Sequence, residues 1–468
     1  MSPAPHGSRR IPPSTFTSPI FRNGEPPASA FRPSPRSAGF WAKRAAQTAE
    51  SSRSSSPRIW SGSFPENEGF LHLQHRRQAA IGGRIPSWEA ERAMTRDEER
   101  SLAARLDEKI LRFIEAADFD APPDRSAFET LALEIFAYQF RFNAPYRRFC
   151  EMQGKTPKGV RAASEIPAIS TDAFKVADLV TFPPAHRVKT FLTSGTTARK
   201  RGALHLDTLA LYDASLLPNF VRHLLPDGVR LPMLILTPSP EAAPHSSLVY
   251  MIERIRQRFG GEGSGYFVEG ERLRTRALID RLTAAVSSGE AVFLLGTAFS
   301  FVHLLDALTE GGHDFLLPPG SRLMETGGFK GRSREVAKET LYDGLSRRLG
   351  IDPAFIVNEY GMTEMGSQFY DVTLWGRVTG RTLPRYKRPP PWVWTEIIDP
   401  ETLQPRTDEQ VGLLRHIDLT NRGSVIALQT ADLGRRVGPG FEIVGRSPAA
   451  TPRGCSLEAE DLRIDAGG

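Results

Sequence analysis

The segment TFLTSGTTARKRGALHLD at residues 190–207 combines hydroxyl, glycine and basic residues in a pattern that suits phosphate binding. Residues 194–197 read Ser-Gly-Thr-Thr, and a basic cluster follows that ends at Gly202. Hydroxyl groups and backbone N–H groups can donate to phosphate oxygens at close approach. The Gly-Lys-Ser/Thr ending of the GxxxxGK[ST] phosphate loop is missing, and an exposed Ser/Thr turn would have the same composition.

A second segment, VNEYGMTEMGSQFYD at residues 357–371, places an aromatic and an acidic residue after an apolar run. The pattern predicts a strand that ends at residue 359, a turn at Tyr360 and Gly361, and then Thr363 and Glu364 at the strand's carboxyl end. A carboxylate there suits Mg²⁺, which takes oxygen ligands and often shares them with phosphates. Tyr360 would cover a flat base. The alternative is a surface loop with an unpaired glutamate.

The third segment, LQTADLGRRVGPGFEIVGR at residues 428–446, places Asp432 between two apolar runs. We predict that Asp432 lies in a turn and that Gly445 and Arg446 close the strand that follows. A carboxylate can accept hydrogen bonds from both hydroxyl groups of a ribose. An aspartate in an ordinary β-turn is the alternative, because that arrangement is very common.

Short apolar runs that end in turn residues alternate with helical patterns from about residue 189 onward. This alternation predicts an α/β fold with parallel strands, and ligands of such sheets bind where strands end and loops begin. The predicted strands are MLILTP (233–238), AVFLLGTA (291–298) and FIVNEYG (355–361), and the predicted helices are Leu248–Arg258, Arg272–Val286 and Glu335–Leu349.

Two structural helices are predicted ahead of this alternation. The first presents an apolar residue at every fourth position, namely Leu102, Leu106, Ile110 and Ile114. A capping-box pattern, Ser126 followed by Glu129, opens the second helix. Its predicted buried face comprises Leu131, Ile135 and Phe136.

Residues 1–93 differ in composition from the rest of the 468-residue chain. They are rich in Pro, Ser and Arg, lack helical or strand periodicity, and are therefore predicted to be disordered. They contain 13 basic and 6 acidic residues, whereas residues 94–468 contain 47 basic and 48 acidic ones. The main body is thus nearly neutral, and a basic groove for nucleic acid is not indicated there. We interpret the segment as an extension of the gene model upstream of Met94. A transit peptide and a nucleic-acid arm are the alternatives.

The cysteine content and hydropathy favour a cytoplasmic protein. Cys150 and Cys455 are the only cysteines, which excludes a disulfide scaffold and makes a reducing compartment the simplest setting. No apolar run is long enough to cross a bilayer. The first ten residues, MSPAPHGSRR, lack the apolar segment of a secretory signal.

The order of the three motifs resembles that of the adenylate-forming enzymes, in which TSGTT with Arg201 and Gly202 precedes EYGMTE, TADLG and a final Gly-Arg. Finer features over residues 102–462 resemble the acyl-protein synthetase (LuxE-type) branch, which is related to phenylacetate-CoA ligases. They are LEIFAYQFRFNAPYRRFC (133–150), IPAISTDAFK (166–175), SSLVYMI (246–252), GTAFSFVHLLD (296–306), METGGFKGRSREV (324–336) and RGCSLEAEDL (453–462).

The resemblance implies an α/β fold: an adenylate-forming large N-terminal domain with mixed, largely parallel sheets flanked by helices. The small C-terminal domain of that superfamily is expected to be absent or vestigial, because only 22 residues follow Arg446, too few for an ordinary small domain. The domain spans residues 94–468. The catalytic lysine of the usual small domain is therefore unassigned, and Lys330 and Arg446 are the candidate substitutes.

The resemblance also assigns roles to individual residues. The Ser/Thr/Gly loop would wrap the ATP phosphates, with Ala198 where the family usually has glycine, and a Gly-Gly pair would line the adenine on which Tyr360 stacks. Asp432 would hold the ribose, Thr363 would reach phosphate, Glu364 would approach Mg²⁺, and Arg446 would lie at the hinge or near the ribose. The implied ATP-binding set is Thr193, Ser194, Gly195, Thr196, Thr197, Arg201, Gly202, Gly327, Gly328, Tyr360, Gly361 and Asp432, and the catalytic set is Thr363, Glu364, Arg446 and Cys455.

The implied reaction activates a carboxylic acid, by resemblance a long-chain fatty acid, as its acyl-adenylate with release of pyrophosphate. Cys455 stands where LuxE-type proteins carry the acyl group before passing it to a reductase or another acyl-carrying protein, and a buried structural cysteine is the alternative. Two other functions stay open. One is an acyl- or aryl-CoA ligase that uses free CoA, and the other is a nucleotide-binding sensor or scaffold without turnover.

Overall fold

The computed structural model describes residues 96–193, 201–327, 336–406 and 409–447, which belong to one compact unit. Residues 1–93, predicted to be disordered, lie outside the described residues. The helices are α1 (Arg96–Ala116), α2 (Arg125–Phe142), α3 (Ala144–Met152), α4 (Ala210–Leu224), α5 (Ser247–Phe259), α6 (Thr275–Ser288), α7 (Ala298–Glu310), α8 (Lys338–Leu349) and α9 (Thr373–Val378). None of them is long and apolar enough to cross a membrane.

The strands include short hairpin strands as well as the longer strands of the main sheet. They are β1 (Ile169–Ser170), β2 (Lys189–Leu192), β3 (Ala203–Leu206), β4 (Met233–Leu236), β5 (Gly265–Tyr266), β6 (Val268–Glu269), β7 (Arg272–Leu273), β8 (Phe293–Thr297), β9 (Arg322–Thr326), β10 (Ile356–Tyr360), β11 (Phe369–Asp371), β12 (Lys387–Arg388), β13 (Val393–Ile398), β14 (Gly412–Asp418), β15 (Ala427–Val437) and β16 (Gly440–Arg446).

One mixed sheet organises the fold. Its strand order is β13-β14-β15-β16-β12-β11-β10-β9-β8-β4-β5, with β1 paired to β15. Strands β5, β4, β8, β9 and β10 pair in parallel, whereas the ladders from β10 through β11 to β13 are antiparallel. The predicted α/β class is confirmed, and the three predicted strands correspond to β4, β8 and β10, whereas β5 and β9 were not predicted.

Both faces of β4 and β8 are buried, which explains why these two strands read as continuous apolar runs. In β8, Phe293 and Leu295 pack into one core cluster while Leu294 packs into another. The first cluster includes residues of α4 and α5, and the second includes residues of α6, α7 and α8. Because side chains alternate across a strand, each strand contributes to both layers of helices.

The structure corrects three local predictions. Helix α2 is capped by Asp124, whose side chain accepts from the Ala127 N–H, and not by Ser126. Glu129 does not complete a capping box, because its carboxylate accepts from the Ala163 N–H. The helix predicted from residue 272 begins at Thr275 instead, since residues 272–273 form strand β7. The helix predicted from residue 335 begins at Lys338.

The predicted apolar faces of the first two helices are confirmed. Leu106, Ile110 and Ile114 of α1 are buried, and Leu102 is partly buried against the same core cluster. Leu131, Ile135 and Phe136 of α2 are buried as well.

A buried ion triad joins the first helix to the rest of the fold. Arg422 is 1% exposed and donates from Nε and Nη2 to the two carboxylate oxygens of Asp107 in α1, each at 2.7 Å. Its Nη1 donates to Asp207, directly after β3, at 2.8 Å. Gln139 of α2 donates to the carbonyls of Asn421 and Arg422. Two helices and one hairpin are therefore fastened to the segment around Arg422.

We expect Arg422→Ala to lower the free energy of unfolding by about 3 kcal/mol, because it leaves two partly buried carboxylates without their partner. The measurement is chemical denaturation followed by circular dichroism. Arg112→Ala is the matched control: its side chain is 74% exposed and paired with Glu108, so its loss should stay well under about 1 kcal/mol. Similar losses in the two variants would contradict a central role for the triad.

Candidate functional site

The parallel strands β8, β9 and β10 end at the same edge of the sheet, which we call the carboxyl edge. Thr297, the last residue of β8, is opposite Thr326, the last residue of β9, and Thr326 is opposite Glu359 of β10. Gly327 and Gly361, the first residues beyond β9 and β10, therefore emerge side by side. This is the position where ligands of parallel sheets bind.

The first motif connects the two strands of the β2–β3 hairpin. Thr193 donates its N–H to the Gly202 carbonyl at 2.9 Å, and the Gly202 N–H donates to the Thr193 hydroxyl, also at 2.9 Å. A Cβ at Gly202 would lie 3.1 Å from Thr193 Cγ2 and 3.3 Å from Phe174 Cβ. Both ends of the motif are thus held closely together. Ser194, Gly195, Thr196 and Thr197 lie outside the described residues, and Arg201 is exposed.

The hairpin lies beside the second motif. A small cavity of about 10 Å³ is lined by residues of β3, by Gly366 of the second motif and by the segment Thr420–Ser424. Within that segment, Gly423 is adjacent to Asp207, which follows β3: a Cβ on Gly423 would be 3.2 Å from the Asp207 carboxylate. The fold therefore brings motifs that are more than 150 residues apart to one edge of the sheet.

A hydrogen bond joins the second motif to the third. The Tyr360 hydroxyl donates to Asp432 Oδ2 at 2.9 Å. The Tyr360 ring packs against Phe369, His416 and Phe441. Burial and the Asp432 carboxylate raise the pKa of Tyr360 well above its usual value, so the hydroxyl stays protonated and able to donate. One aromatic ring and one carboxylate are thereby held in a fixed relation at the carboxyl edge.

Asp432 lies inside strand β15, so the prediction that it occupies a turn is wrong. It is opposite Arg446, the last residue of β16, as predicted for the end of that strand. Arg446 Nε is 3.9 Å from Asp432 Oδ1, and the arginine side chain is 72% exposed. Tyr360 and Arg446 flank the carboxylate of Asp432. These contacts lower the free-energy cost of placing an acidic side chain within a strand.

The turn that carries Thr363 and Glu364 is held by a residue that the sequence analysis did not identify. Strand β10 continues through Tyr360, so the turn lies at residues 363–364 and not at 360–361. Asn421 donates from Nδ2 to the Glu364 carbonyl at 3.0 Å and accepts from the Gly366 N–H at 2.8 Å. Asn421 thus fixes the position of Glu364, which is buried.

Glu359, beside this turn, is a second residue that the sequence analysis gave no role. Its side chain is 4% exposed, and burial raises its pKa to about 7, although Thr326 hydrogen-bonds the carboxyl and Lys387 attracts it. A Cβ at Gly361 would overlap a Glu359 carboxyl oxygen, so a larger residue there would have to displace the Glu359 side chain. The sequence signal that could have identified Glu359 is an acidic residue near the end of an otherwise apolar strand.

Burial shifts the pKa of two neighbouring groups towards their neutral forms, and His416 is uncharged at neutral pH. Burial lowers the pKa of His416, whose Nδ1 lies 2.9 Å from the Thr395 hydroxyl, to about 3. Burial raises the pKa of Asp418 to about 6, against hydrogen bonds from Thr420 and Ser367. His416 is therefore a packing partner of Tyr360 and not a source of positive charge.

The acidic residues of the site suit a metal ion that binds together with phosphate groups better than a metal ion that the protein binds by itself. Within residues 96–193, 201–327, 336–406 and 409–447, no three His, Cys, Asp or Glu side chains are grouped to hold a metal. Glu364 brings one carboxylate to the carboxyl edge. One or two carboxylates completed by phosphate oxygens is the usual arrangement for Mg²⁺, and the donor set agrees with it.

Of the two cysteines, the structure describes Cys150. Cys150 in α3 is fully buried, and burial raises its thiol pKa to about 12. A thiol in that state is neither ionised nor accessible, so it is unsuited to acyl transfer. Cys455, Lys330 and Gly328 lie outside the described residues.

Glu359→Gln should change how stability depends on pH. The folded-state pKa of about 7 exceeds the ordinary value of 4.5, so the folded chain holds this proton more tightly than the unfolded chain. The contribution of Glu359 to stability therefore falls as pH rises from about 4.5 to 7. Between pH 5 and pH 8 the unfolding free energy of the variant should rise relative to wild type by about 2–3 kcal/mol.

Urea denaturation at each pH measures this difference, and subtraction of the wild-type curve removes the contribution of Asp418. Glu134→Gln is the control, because Glu134 is an exposed partner of Lys109 on α2. Its difference curve should be flat. A flat curve for Glu359→Gln as well would show that the carboxyl is not held protonated by burial.

This chain is similar in sequence to a known protein family and to two named enzymes. The profile of the family described as acyl-protein synthetase, LuxE, matches residues 94–462. A long-chain-fatty-acid–luciferin-component ligase of Aliivibrio fischeri is 22% identical over 348 residues, which cover 71% of this chain and 88% of the relative. The enzyme of the same name from Vibrio harveyi is 23% identical over 335 residues, covering 69% and 84%.

Among solved structures, an open conformation of 2-hydroxyisobutyryl-CoA ligase in complex with 2-HIB-AMP and CoA is similar in fold. The TM-score is 0.50 at 16% identity, over 69% of this chain and 76% of that one. At this identity the likeness concerns the fold, and it agrees with the α/β class predicted from the sequence. The resemblance drawn from the ordered motifs is confirmed by the family match, and the chain belongs to the LuxE family of acyl-protein synthetases.

Proposed function

We propose that this chain is an ATP-dependent ligase that activates a long-chain fatty acid as its acyl-adenylate and then transfers the acyl group to a protein thiol. The observation that carries the proposal is the hydrogen bond from Tyr360 to Asp432, which joins the base-covering and ribose-binding residues of the implied ATP site. The names of the relatives, both long-chain-fatty-acid ligases, support the choice of acid.

The chemistry requires positioning more than proton transfer. A carboxylate oxygen attacks the α-phosphorus of ATP, an acyl–phosphate bond forms, and pyrophosphate leaves. The nucleophile is already ionised at neutral pH, so no general base is needed. The site agrees with this, because burial lowers the pKa of His416 to about 3 and makes it a poor base. The rate would then depend on orientation and on stabilising the phosphate charge.

Each described residue has a role that its geometry allows. Tyr360 would stack on the adenine while its hydroxyl holds Asp432, and Asp432 would accept from the ribose hydroxyls. Thr193 and Gly202 close the base of the loop that would wrap the phosphates. Thr363, in the turn held by Asn421, would reach a phosphate oxygen.

Glu364 would hold Mg²⁺ together with the phosphates, and the ion would supply charge stabilisation for the leaving pyrophosphate. Asn421 fixes the backbone of that residue. Elsewhere in the superfamily, a lysine of the small domain supplies a cation at this site. Arg446 is the candidate for that cation among the described residues. Its side chain is exposed beside Asp432, so it can meet a nucleotide bound there.

Cys455 is the proposed acyl acceptor within the chain. The sequence contains two cysteines, and Cys150 is buried with a pKa of about 12. A thiolate attacks the acyl-adenylate, a thioester forms and AMP leaves. We propose that the group then passes to an acyl-carrying partner such as a fatty-acid reductase, in the reducing cytoplasm where a free thiol persists.

Asp432→Ala should weaken ATP binding by about 1–3 kcal/mol, because the ribose hydroxyls lose a charged acceptor. Tyr360→Phe keeps the ring and removes the hydroxyl that orients Asp432, so its loss should be smaller. Arg435→Ala is the control on the same strand, since Arg435 pairs with Glu442 at the surface. Isothermal titration calorimetry gives the three affinities. Unchanged ATP affinity in Asp432→Ala would rule out the assigned ribose contact.

Incubation with ATP, Mg²⁺ and a radiolabelled fatty acid tests the whole reaction. We expect pyrophosphate release, and label that survives denaturation, is released by neutral hydroxylamine, and is lost in Cys455→Ser. Cys150→Ser is the control and should keep its label if it folds.

Three outcomes separate the steps. Label retained in Cys455→Ser would place the acceptor elsewhere in the chain. Pyrophosphate release without label, with product formed only when CoA is added, would make the chain a CoA ligase. Absence of pyrophosphate release with every acid would leave a nucleotide-binding protein without turnover.

A further inference from the structure

Three arginine side chains crowd one buried indole at a distance from the candidate site. Trp375 of α9 is 4% exposed. The Cζ atoms of Arg222, Arg381 and Arg388 lie 4.3, 5.2 and 5.9 Å from its ring centroid. The three guanidinium groups must therefore lie within about 11 Å of one another, which is close to the screening length at physiological salt. We call these four residues the Trp375 arginine cluster.

Only one of the three arginines has a charged partner in the described structure. Arg222 pairs with Asp120, and it is the guanidinium nearest the indole, at a distance suited to cation–π contact. Arg381 and Arg388 contact the Trp375 ring, and among the described residues no ion pair or side-chain hydrogen bond is found for either guanidinium. Two positive charges of the cluster are thus left without a carboxylate.

Arg388 is the more constrained of the two. It lies in β12, and its guanidinium is partly buried. Its pKa is lowered, chiefly by burial and also by the like charges of Arg222 and Arg381, against the opposing effects of Tyr386 and Asp120. A guanidinium rarely occupies such surroundings, because it binds carboxylate or phosphate strongly through paired N–H groups.

Two further polar groups near the cluster are unsatisfied. The indole Nε1 of Trp375 and the hydroxyl of Thr373 are buried atoms with no hydrogen-bond partner among the residues described. A buried N–H without an acceptor costs free energy. The cluster therefore combines unpaired guanidinium donors with a buried donor that needs an acceptor, and Asp120 is the carboxylate paired within it.

The cluster is separate from the ATP site. Strand β11 runs antiparallel to β10, so α9, which follows β11, lies towards the start of β10. Arg385 confirms this placement, since its guanidinium donates to the carbonyl of Ile356, the first residue of β10, at 2.7 Å. The start of β10 is about 13 Å from Tyr360 along the strand, at roughly 3.3 Å per residue.

We propose that the Trp375 arginine cluster is a second anion site that binds a phosphate or polyphosphate group, with Arg381 and Arg388 as its principal ligands. The donors are planar and multiple, and they face no described carboxylate apart from Asp120. A tetrahedral anion with several unprotonated oxygens matches these donors better than a single carboxylate does.

Titration of the full-length protein with inorganic phosphate and with pyrophosphate tests the site. Calorimetry is run without ATP, because its triphosphate would compete with either anion for the cluster. We expect at least a tenfold weaker anion affinity in Arg388→Gln and in Arg381→Gln, with ATP affinity unchanged. Arg276→Gln is the control, because its side chain is 89% exposed and pairs with Asp280 on α6.

The two anions also define the ligand. Equal affinities would indicate a single phosphate group, and tighter pyrophosphate would indicate a polyphosphate. Arg381→Gln serves if Arg388→Gln fails to fold, because Arg381 is exposed. Anion affinity that is the same in wild type, both variants and the control would overturn the proposal. So would binding of a polyglutamate peptide that needs Arg388 while neither phosphate binds, since the cluster would then be a docking surface for an acidic protein.

Discussion

The buried triad of Arg422 with Asp107 and Asp207 fixes the segment on which the candidate site depends. Arg422 follows Asn421, whose side chain holds the turn of Glu364. It precedes Gly423, whose carbonyl accepts from the Thr181 N–H. Because the guanidinium is buried and bonded on both sides, the segment cannot shift without leaving an ion unpaired. Stability and the geometry of the second motif are therefore linked through one residue.

Strands β4, β8 and β10 of the parallel part were predictable because their pattern is local. Strands buried on both faces read as apolar runs, and their carboxyl edge follows from topology alone. Asp432 shows where local reasoning fails. Aspartate is rare in strands and common in turns, yet contacts to Tyr360 and Arg446 satisfy its carboxylate within β15. Those contacts come from other strands, and tertiary structure overrides the propensity of the residue.

Residues that position the site were missed for a related physical reason. Asn421 contacts Glu364, a residue 57 positions away, and its local sequence, Thr-Asn-Arg-Gly, predicts only a turn. At the start of α2, Asp124 and Ser126 are both residue types that favour the N-cap position. The local sequence therefore does not indicate which of the two caps the helix. Motifs predict which chemistry is present, whereas the residues that hold those motifs depend on contacts that a single sequence does not display.

The ionisation of the buried acids suits a site that must bring two anions together. ATP and a carboxylate repel each other, and ionised acids at the carboxyl edge would add to that repulsion. Burial raises the pKa of Glu359 to about 7, so this acid is about half protonated at neutral pH. Asp371, at the end of β11, differs: despite its burial, Lys387 and Arg385 hold its pKa well below the usual range.

Lys387 is thus paired with a carboxylate in the core, so a cation for the phosphates of the proposed ATP site would come from exposed residues of the edge. Arg446 meets that condition, because its guanidinium lies beside Asp432 and is largely solvent-exposed. An exposed arginine can follow the phosphates as the α-phosphorus changes its bonding, which a lysine buried in the sheet cannot do.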